Sequence, residues 1–291
     1  MLRIRRLLGI ALAALALTGV PVTRATAGQA PGEPQIGQPG KDVIWVPTSP
    51  ELMEKMFDLA RVTARDYVVD LGSGDGRMVI GAALRGARAL GVEYDPLLVT
   101  RSREAAARAG VADRARFVRG DMYTTPFGRP TALTLFLLPS NLIRLRDRLL
   151  ALAPGTRIVV NTYGIPDWRH DAEVSLDLCD PWCTARLWVV PARVDGAWET
   201  AEGTLTFAQR FQDIAGTLSA ATGQLPLTGG RLDGDRISFR IGPRAVSATV
   251  RGGVMRGVVT FEGRETAWHA TRRGAVPRPS AGPSSTPPGH P

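Results

Sequence analysis

Residues 67–76 read Tyr67-Val68-Val69-Asp70-Leu71-Gly72-Ser73-Gly74-Asp75-Gly76, an apolar run that ends in a carboxylate, enters a glycine-rich turn and leads into a helical pattern at 77–86. Glycines in such a turn accept positive φ and let the backbone approach a ligand, and the N-terminus of the following helix offers free N–H groups. Two features separate the turn from a nicotinamide-dinucleotide site. Its spacing is G-x-G-x-G with Arg77 where the dinucleotide fingerprint places a third glycine, and Asp70 stands at its mouth. A carboxylate there repels a pyrophosphate and suits a ligand that carries an ammonium group and a sulfonium charge.

Strand-like runs at 67–71, 89–92, 116–118, 132–138 and 157–161 alternate with helical stretches at 77–86, 96–109 and 140–152. A further helix is expected at 50–59, where Leu52, Met53, Met56 and Phe57 recur at helical spacing behind Thr48, Ser49 and Pro50. This alternation predicts an α/β, Rossmann-like parallel sheet with helices on both faces, completed by an antiparallel hairpin to seven strands. Two more acids then fall at strand ends. Glu93 ends the second strand, where a carboxylate accepts hydrogen bonds from both ribose hydroxyls, and Asp121 lies just past the third, where it can take an adenine amino group while Met122 covers the ring.

In this order the glycine motif, the ribose acid and the adenine acid resemble the S-adenosyl-L-methionine site of class I methyltransferases. The resemblance implies that Asp70, Gly72 and Gly74 hold the methionine end, Glu93 the ribose, and Asp121 with Met122 the adenine. A narrower similarity covers roughly 44–170. Trp45-Val46-Pro47-Thr48, the run Asp70 to Arg77, Phe136-Leu137-Leu138-Pro139 and Trp168 look like the small protein-lysine methyltransferases that include the ATP synthase c-subunit lysine methyltransferase. In that family the stretch before the first strand helps to close the cofactor pocket, which implies a role for Thr48. Methyl transfer is an in-line displacement that needs positioning more than a strong base. Residues after the fourth and fifth strands are therefore the catalytic candidates, Asn141 and Tyr163 among them. Against these roles, Asn141 reads equally as a helix cap and Tyr163 as core. An Asn or Asp followed by Pro-Pro and an aromatic, common in amine methylation, is absent, so the acceptor stays open between a protein lysine and another group.

Beyond 184 the helical period does not return. Short alternating runs at 187–190, 203–211, 216–221, 231–232, 237–241, 245–250, 257–261 and 266–270 read as strands, with Asp195-Gly196, Gly229-Gly230, Asp233-Gly234 and Gly252-Gly253 as turns. The first hairpin is expected to finish the sheet and the remainder to form a separate all-β meander, either a small barrel or a sandwich. The boundaries expected are a signal peptide at 1–27, a flexible linker at 28–42, a methyltransferase domain at 43–202, a β domain at 203–273 and a Pro-rich disordered tail at 274–291.

The leader rests on Arg3, Arg5 and Arg6, an apolar run from Leu7 to Leu17 and the small residues Ala25-Thr26-Ala27. The apolar run is short against the about 20 residues of a membrane span, so export with cleavage is the expectation and an uncleaved membrane anchor the alternative. The leader's four arginines account for part of the net charge of +9, leaving +5. With no basic run interleaved by aromatics, no nucleic-acid partner is expected. Cys179 and Cys183, the two cysteines, are able to close a small disulfide loop, which fits an oxidising compartment, and the three histidines show no metal-ligand spacing. The functional reading is a methyltransferase whose acceptor includes the possibility of a protein. The competing reading is an exported, non-catalytic binding protein whose β domain recognises a partner.

Overall fold

The computed structural model describes residues 46–177, 179 and 181–274. The expected leader, linker and Pro-rich tail lie outside them, apart from Gly274. Strand β1 (Tyr67–Leu71) is buried from Val68 onward on both faces, as befits a central parallel strand. It is flanked by β2 (Arg88–Glu93) and β4 (Ala132–Leu135), beyond which lie β3 (Ala115–Arg119) and β5 (Arg157–Asn161), all parallel. Helices α1 (Pro50–Leu59), α2 (Arg77–Leu84), α3 (Pro96–Arg108) and α4 (Pro139–Leu150) connect and cover them. Local chemistry sets their starts. Ser49 and Asp95 cap α1 and α3 with their side chains, and a proline opens each of α1, α3 and α4.

An antiparallel pair, β6 (Ala172–Ser175) and β7 (Thr184–Val189), completes a seven-stranded sheet of order β3-β2-β1-β4-β5-β7-β6. The order reverses between β1 and β4, which opens a crevice at their carboxyl ends. One face packs Leu52, Phe57, Val79 and Ala82 against Val68, Ala132 and Val159. The other packs Leu142, Leu145 and Leu149 against Val69, Leu133 and Ile158.

The remaining strands close an eight-stranded barrel. They are β8 (Gly196–Thr200), β9 (Gly203–Arg210), β10 (Asp213–Ala220), β11 (Gly223–Asp233), β12 (Arg236–Ile241), β13 (Arg244–Arg251), β14 (Val254–Phe261) and β15 (Arg264–Arg272). Consecutive strands pair antiparallel, and β15 returns to β8 through Thr271–Glu199 and Arg272–Trp198. Closure removes the exposed edges that a sandwich would leave.

Three expectations change here. The hairpin that finishes the sheet is β6–β7, not one turning at Asp195-Gly196: Gly196 begins β8, which pairs with β9, so the barrel starts before the expected boundary at 203. Gly229-Gly230 is not a turn but a bulge inside the long strand β11, where the register with both neighbours shifts. Gly230 is needed there for close approach, since a Cβ would meet the Ile214 carbonyl oxygen at 2.4 Å. The fourth strand ends at Leu135 rather than at 138.

Trp168, in the connection between β5 and β6, packs against the barrel region. Its indole stacks on Phe211 at 5.6 Å and donates to Gln212 Oε1 at 3.0 Å. Arg231 of β11 reaches Asp171 at 2.7 Å, and Asp171 also accepts from the Val189 N–H.

Candidate functional site

The crevice at the carboxyl ends of β1 and β4 gathers the motif residues. Gly72, Gly74 and Gly76 have φ of 78°, 55° and 83°. These left-handed values make the turn specific to glycine. Gly76 ends it as the N-cap of α2, and a Cβ there would lie 2.7 Å from the Phe117 ring.

Asp70 is 4% exposed and accepts a hydrogen bond from the Thr134 hydroxyl at 2.8 Å. Burial pushes its carboxyl from 3.8 up to about 7; the Thr134 hydrogen bond opposes this, and the charges of Glu93 and Asp75 add to it. Glu93 turns both oxygens onto backbone, accepting from the Gly74 N–H at 2.8 Å and the Asp95 N–H at 2.9 Å. It thereby ties the end of β2 to the glycine turn. Asp75 pairs with Arg77 at 2.6 Å, and the same guanidinium donates to the Thr48 carbonyl at 2.9 Å. Thr48 is itself buried, and its hydroxyl accepts from Asn161 Nδ2 at 3.1 Å. The segment before α1 is thus fastened to both the glycine turn and the end of β5.

Asp121 is exposed and accepts from the Tyr123 N–H at 2.7 Å, closing a short turn past β3. Met122, half-buried, packs against the core on the α4 side. Asn141 is buried inside the first turn of α4, donates to the Tyr123 hydroxyl at 2.7 Å and is not a helix cap, a place that Leu138 holds. The cap is taken from the side chain because Pro139 starts the helix two residues earlier. Tyr163 is half-buried after β5 and stands beside Phe136, with 6.4 Å between ring centroids. The structure therefore brings Thr48, Asp70, Gly72, Gly74 and Glu93 together, puts Asp121 and Met122 past β3, and sets Asn141 and Tyr163 beyond β4 and β5.

Further buried polar groups lie near the crevice. Ser73 Oγ and Asn141 Oδ1 are buried with no hydrogen-bond partner among the described residues. Such atoms are costly unless something else satisfies them. Thr134 and Asn161 are buried polar residues on the Asp70 side of β4 and β5. A polar residue within or at the end of an otherwise apolar strand is the signal by which Thr134 and Asn161 stand out in the sequence.

A family model described as the ANTKMT methyltransferase domain matches residues 70–172, from Asp70 to the start of β6. A protein-lysine N-methyltransferase of Saccharolobus islandicus is 35% identical over 141 residues, 46% of this chain and 86% of that protein. The mouse ATP synthase c-subunit lysine N-methyltransferase is 36% identical over 128 residues, 44% of this chain and 51% of that protein. The chain thus spans only about half of the mouse relative. A crystal structure described as an RNA methyltransferase from Salinibacter ruber in complex with S-adenosyl-L-homocysteine is 40% identical, covers 51% of this chain and 96% of that one, and has a TM-score of 0.49. With the glycine turn, the acids at the strand ends and the sheet order, the family model and the archaeal relative lead to one conclusion: the chain belongs to the class I S-adenosylmethionine-dependent methyltransferases, in the family of the small protein-lysine methyltransferases.

Proposed function

We propose that this protein transfers a methyl group from S-adenosylmethionine to the side-chain amine of a protein lysine, in a compartment outside the cytoplasm. The observation that carries the cofactor assignment is Asp70. It is a buried carboxylate whose neighbours Glu93 and Asp75 are also acids, held beside a turn open to close approach. A cationic ligand relieves that like-charge crowding, and the unpartnered Ser73 hydroxyl gives it a further polar contact. The residues present therefore fit the cofactor. In this reading Asp70, Gly72 and Gly74 hold its methionine end, Glu93 the ribose, Asp121 with Met122 the adenine, and Thr48 closes the crevice.

When bound, S-adenosylmethionine supplies an electrophilic methyl on sulfur. The protein's part is to orient an amine on the far side of that methyl and to exclude water. Asn141 has a free, buried carbonyl oxygen able to accept from an amine N–H, and Tyr123 fixes its amide. The lysine acceptor is carried over from the archaeal and mouse relatives, which are protein-lysine methyltransferases. Export is supported by the basic and apolar leader and by the disulfide between Cys179 and Cys183, a bond that persists in oxidising compartments. No helix of the described residues is long and apolar enough to cross a membrane.

Calorimetric titration with S-adenosylmethionine tests the core of the reading. Saturable binding is expected for the wild type, with a loss of more than tenfold in Asp70→Ala and Glu93→Ala. A wild type that binds none ends the enzyme assignment, and variants that bind normally end the site assignment. Fractionating cells that carry a C-terminal tag tests the compartment, which fails as proposed if the protein stays in the cytoplasm.

A further inference from the structure

The edge formed by the carboxyl ends of β4 and β5 and the amino end of β7 carries an aromatic cluster to which the proposed cofactor contacts give no part. Phe136 follows β4, Tyr163 follows β5 and Trp182 precedes β7, so the three rings come from consecutive strands of the sheet. The Phe136 ring stands 6.4 Å from Tyr163, and 6.0 Å from Trp182 in an edge-on pair at 67°. Phe136 and Tyr163 are half-buried, and Trp182 is 37% exposed. Single exposed aromatics are ordinary, whereas three gathered at one partly open place call for a reason.

The cluster stands at the rim of the crevice. Leu133, Leu135 and Leu137 pack into the α4-side core, against which Tyr163 also rests, whereas Thr134 touches Asp70 directly on the other face. Phe136 follows two residues later in the chain, just past the end of β4, and is placed by its ring contacts with Tyr163 and Trp182. Trp182 is held there by its surroundings. It sits inside the loop closed by the Cys179–Cys183 disulfide, with φ of 66°, a left-handed backbone that a bulky residue adopts only when the chain around it compels it. Thr162, just before Tyr163, is left-handed as well, at 62°.

We propose that Phe136, Tyr163 and Trp182 form the acceptor subsite, that the group it takes is an alkylammonium, and that the disulfide positions Trp182 for this task. The proposal rests on the methyltransferase reading above. In the transfer, the lone pair of a neutral amine forms the new carbon–nitrogen bond while the carbon–sulfur bond breaks with its electron pair going to sulfur. Positive charge therefore passes to nitrogen, and one N–H proton leaves to solvent before another methyl can be added. Aromatic faces attract that charge as it develops. They also hold a nitrogen whose N–H groups have been replaced by methyls, which a site built only from hydrogen-bond acceptors loses.

The test is calorimetry on the full chain with N-acetyl-trimethyllysine amide and with its neutral tert-butyl isostere, S-adenosylmethionine affinity being measured on every sample. The wild type is expected to bind the trimethylammonium compound at least tenfold tighter than the isostere. Trp182→Ala, and Cys179→Ser combined with Cys183→Ser, are expected to lose about tenfold. Trp182→Phe, which keeps a ring, recovers most of the loss, and all of these variants keep wild-type affinity for S-adenosylmethionine. Equal binding of the two compounds, or an unchanged Trp182→Ala, overturns the subsite, and unchanged affinity in the cysteine variant overturns the role of the disulfide. A wild type that binds S-adenosylmethionine but neither compound refutes the subsite alone, whereas one that binds no S-adenosylmethionine refutes the function beneath it.

Discussion

The sheet and the barrel use their interiors in opposite ways. Among the described residues the sheet region buries Thr48, Asp66, Asp70, Ser73, Ser102, Thr134, Asn141, Thr156 and Asn161, whereas the barrel region buries one polar side chain, Gln212, at its junction with the sheet. The barrel is filled instead by Trp198, Leu205, Phe207, Ile237, Phe239 and Met255. A closed, apolar interior provides stability but nothing to bind a polar ligand with, so the chemistry is concentrated at the sheet's carboxyl edge.

The largest effect expected from this contrast is in the barrel. Trp198, fully buried with its indole N–H on the Val194 carbonyl at 2.7 Å, should cost about 3–5 kcal/mol when replaced by alanine, read from denaturant unfolding. Refolded protein should still bind S-adenosylmethionine, and a barrel that served the cofactor would show otherwise.

Next comes Asp70. Its alanine variant should lose S-adenosylmethionine binding, while Asp70→Asn should unfold at higher denaturant than the wild type above pH 7, by about 1–3 kcal/mol, because it removes a buried charge yet keeps the Thr134 contact. If Asp70→Asn destabilises instead, burial and like-charge crowding are not what sets the energy of this carboxylate.

A pH profile sharpens the same point. With its carboxyl raised from 3.8 to about 7, the folded protein holds a proton that the unfolded chain has already released. Stability of the ligand-free protein should therefore fall as pH rises from about 4 to about 7 and then level off, and the asparagine variant should lack this slope. A cation that binds the ionised carboxylate should bind more weakly as pH drops below about 7, by up to tenfold per unit.

The smallest effect is at the junction. Arg231→Ala removes the partly exposed pair with Asp171 and should cost about 1 kcal/mol or less without changing cofactor affinity.

Tyr67–Leu71 and Arg157–Asn161 begin and end where the apolar pattern puts them, and α1 occupies 50–59 as its caps predict. These are local signals: a fully buried strand, a capping serine and a glycine turn each act within a few residues of chain. The acids Asp70, Glu93 and Asp121 are legible by their places at or near the carboxyl ends of parallel strands, where such sheets bind ligands. What eluded the pattern involves partners remote in sequence. Gly196 and Gly229-Gly230 look like turns because glycine permits turns, yet strand pairing with β9, β10 and β12 draws them into the barrel.

The sequence by itself determined the glycine turn and the acids around it, the features on which the proposed binding of a cationic methyl donor rests. Only the tertiary structure decided that the β strands close into a filled barrel, that Asn141 leaves the helix cap to meet Tyr123, and that Trp182 stands against Phe136 across 46 residues of chain. Short-range pattern specifies which faces are buried. Which buried or half-buried groups then meet is settled by strand order and loop closure, whose energies come from contacts between segments far apart in the sequence.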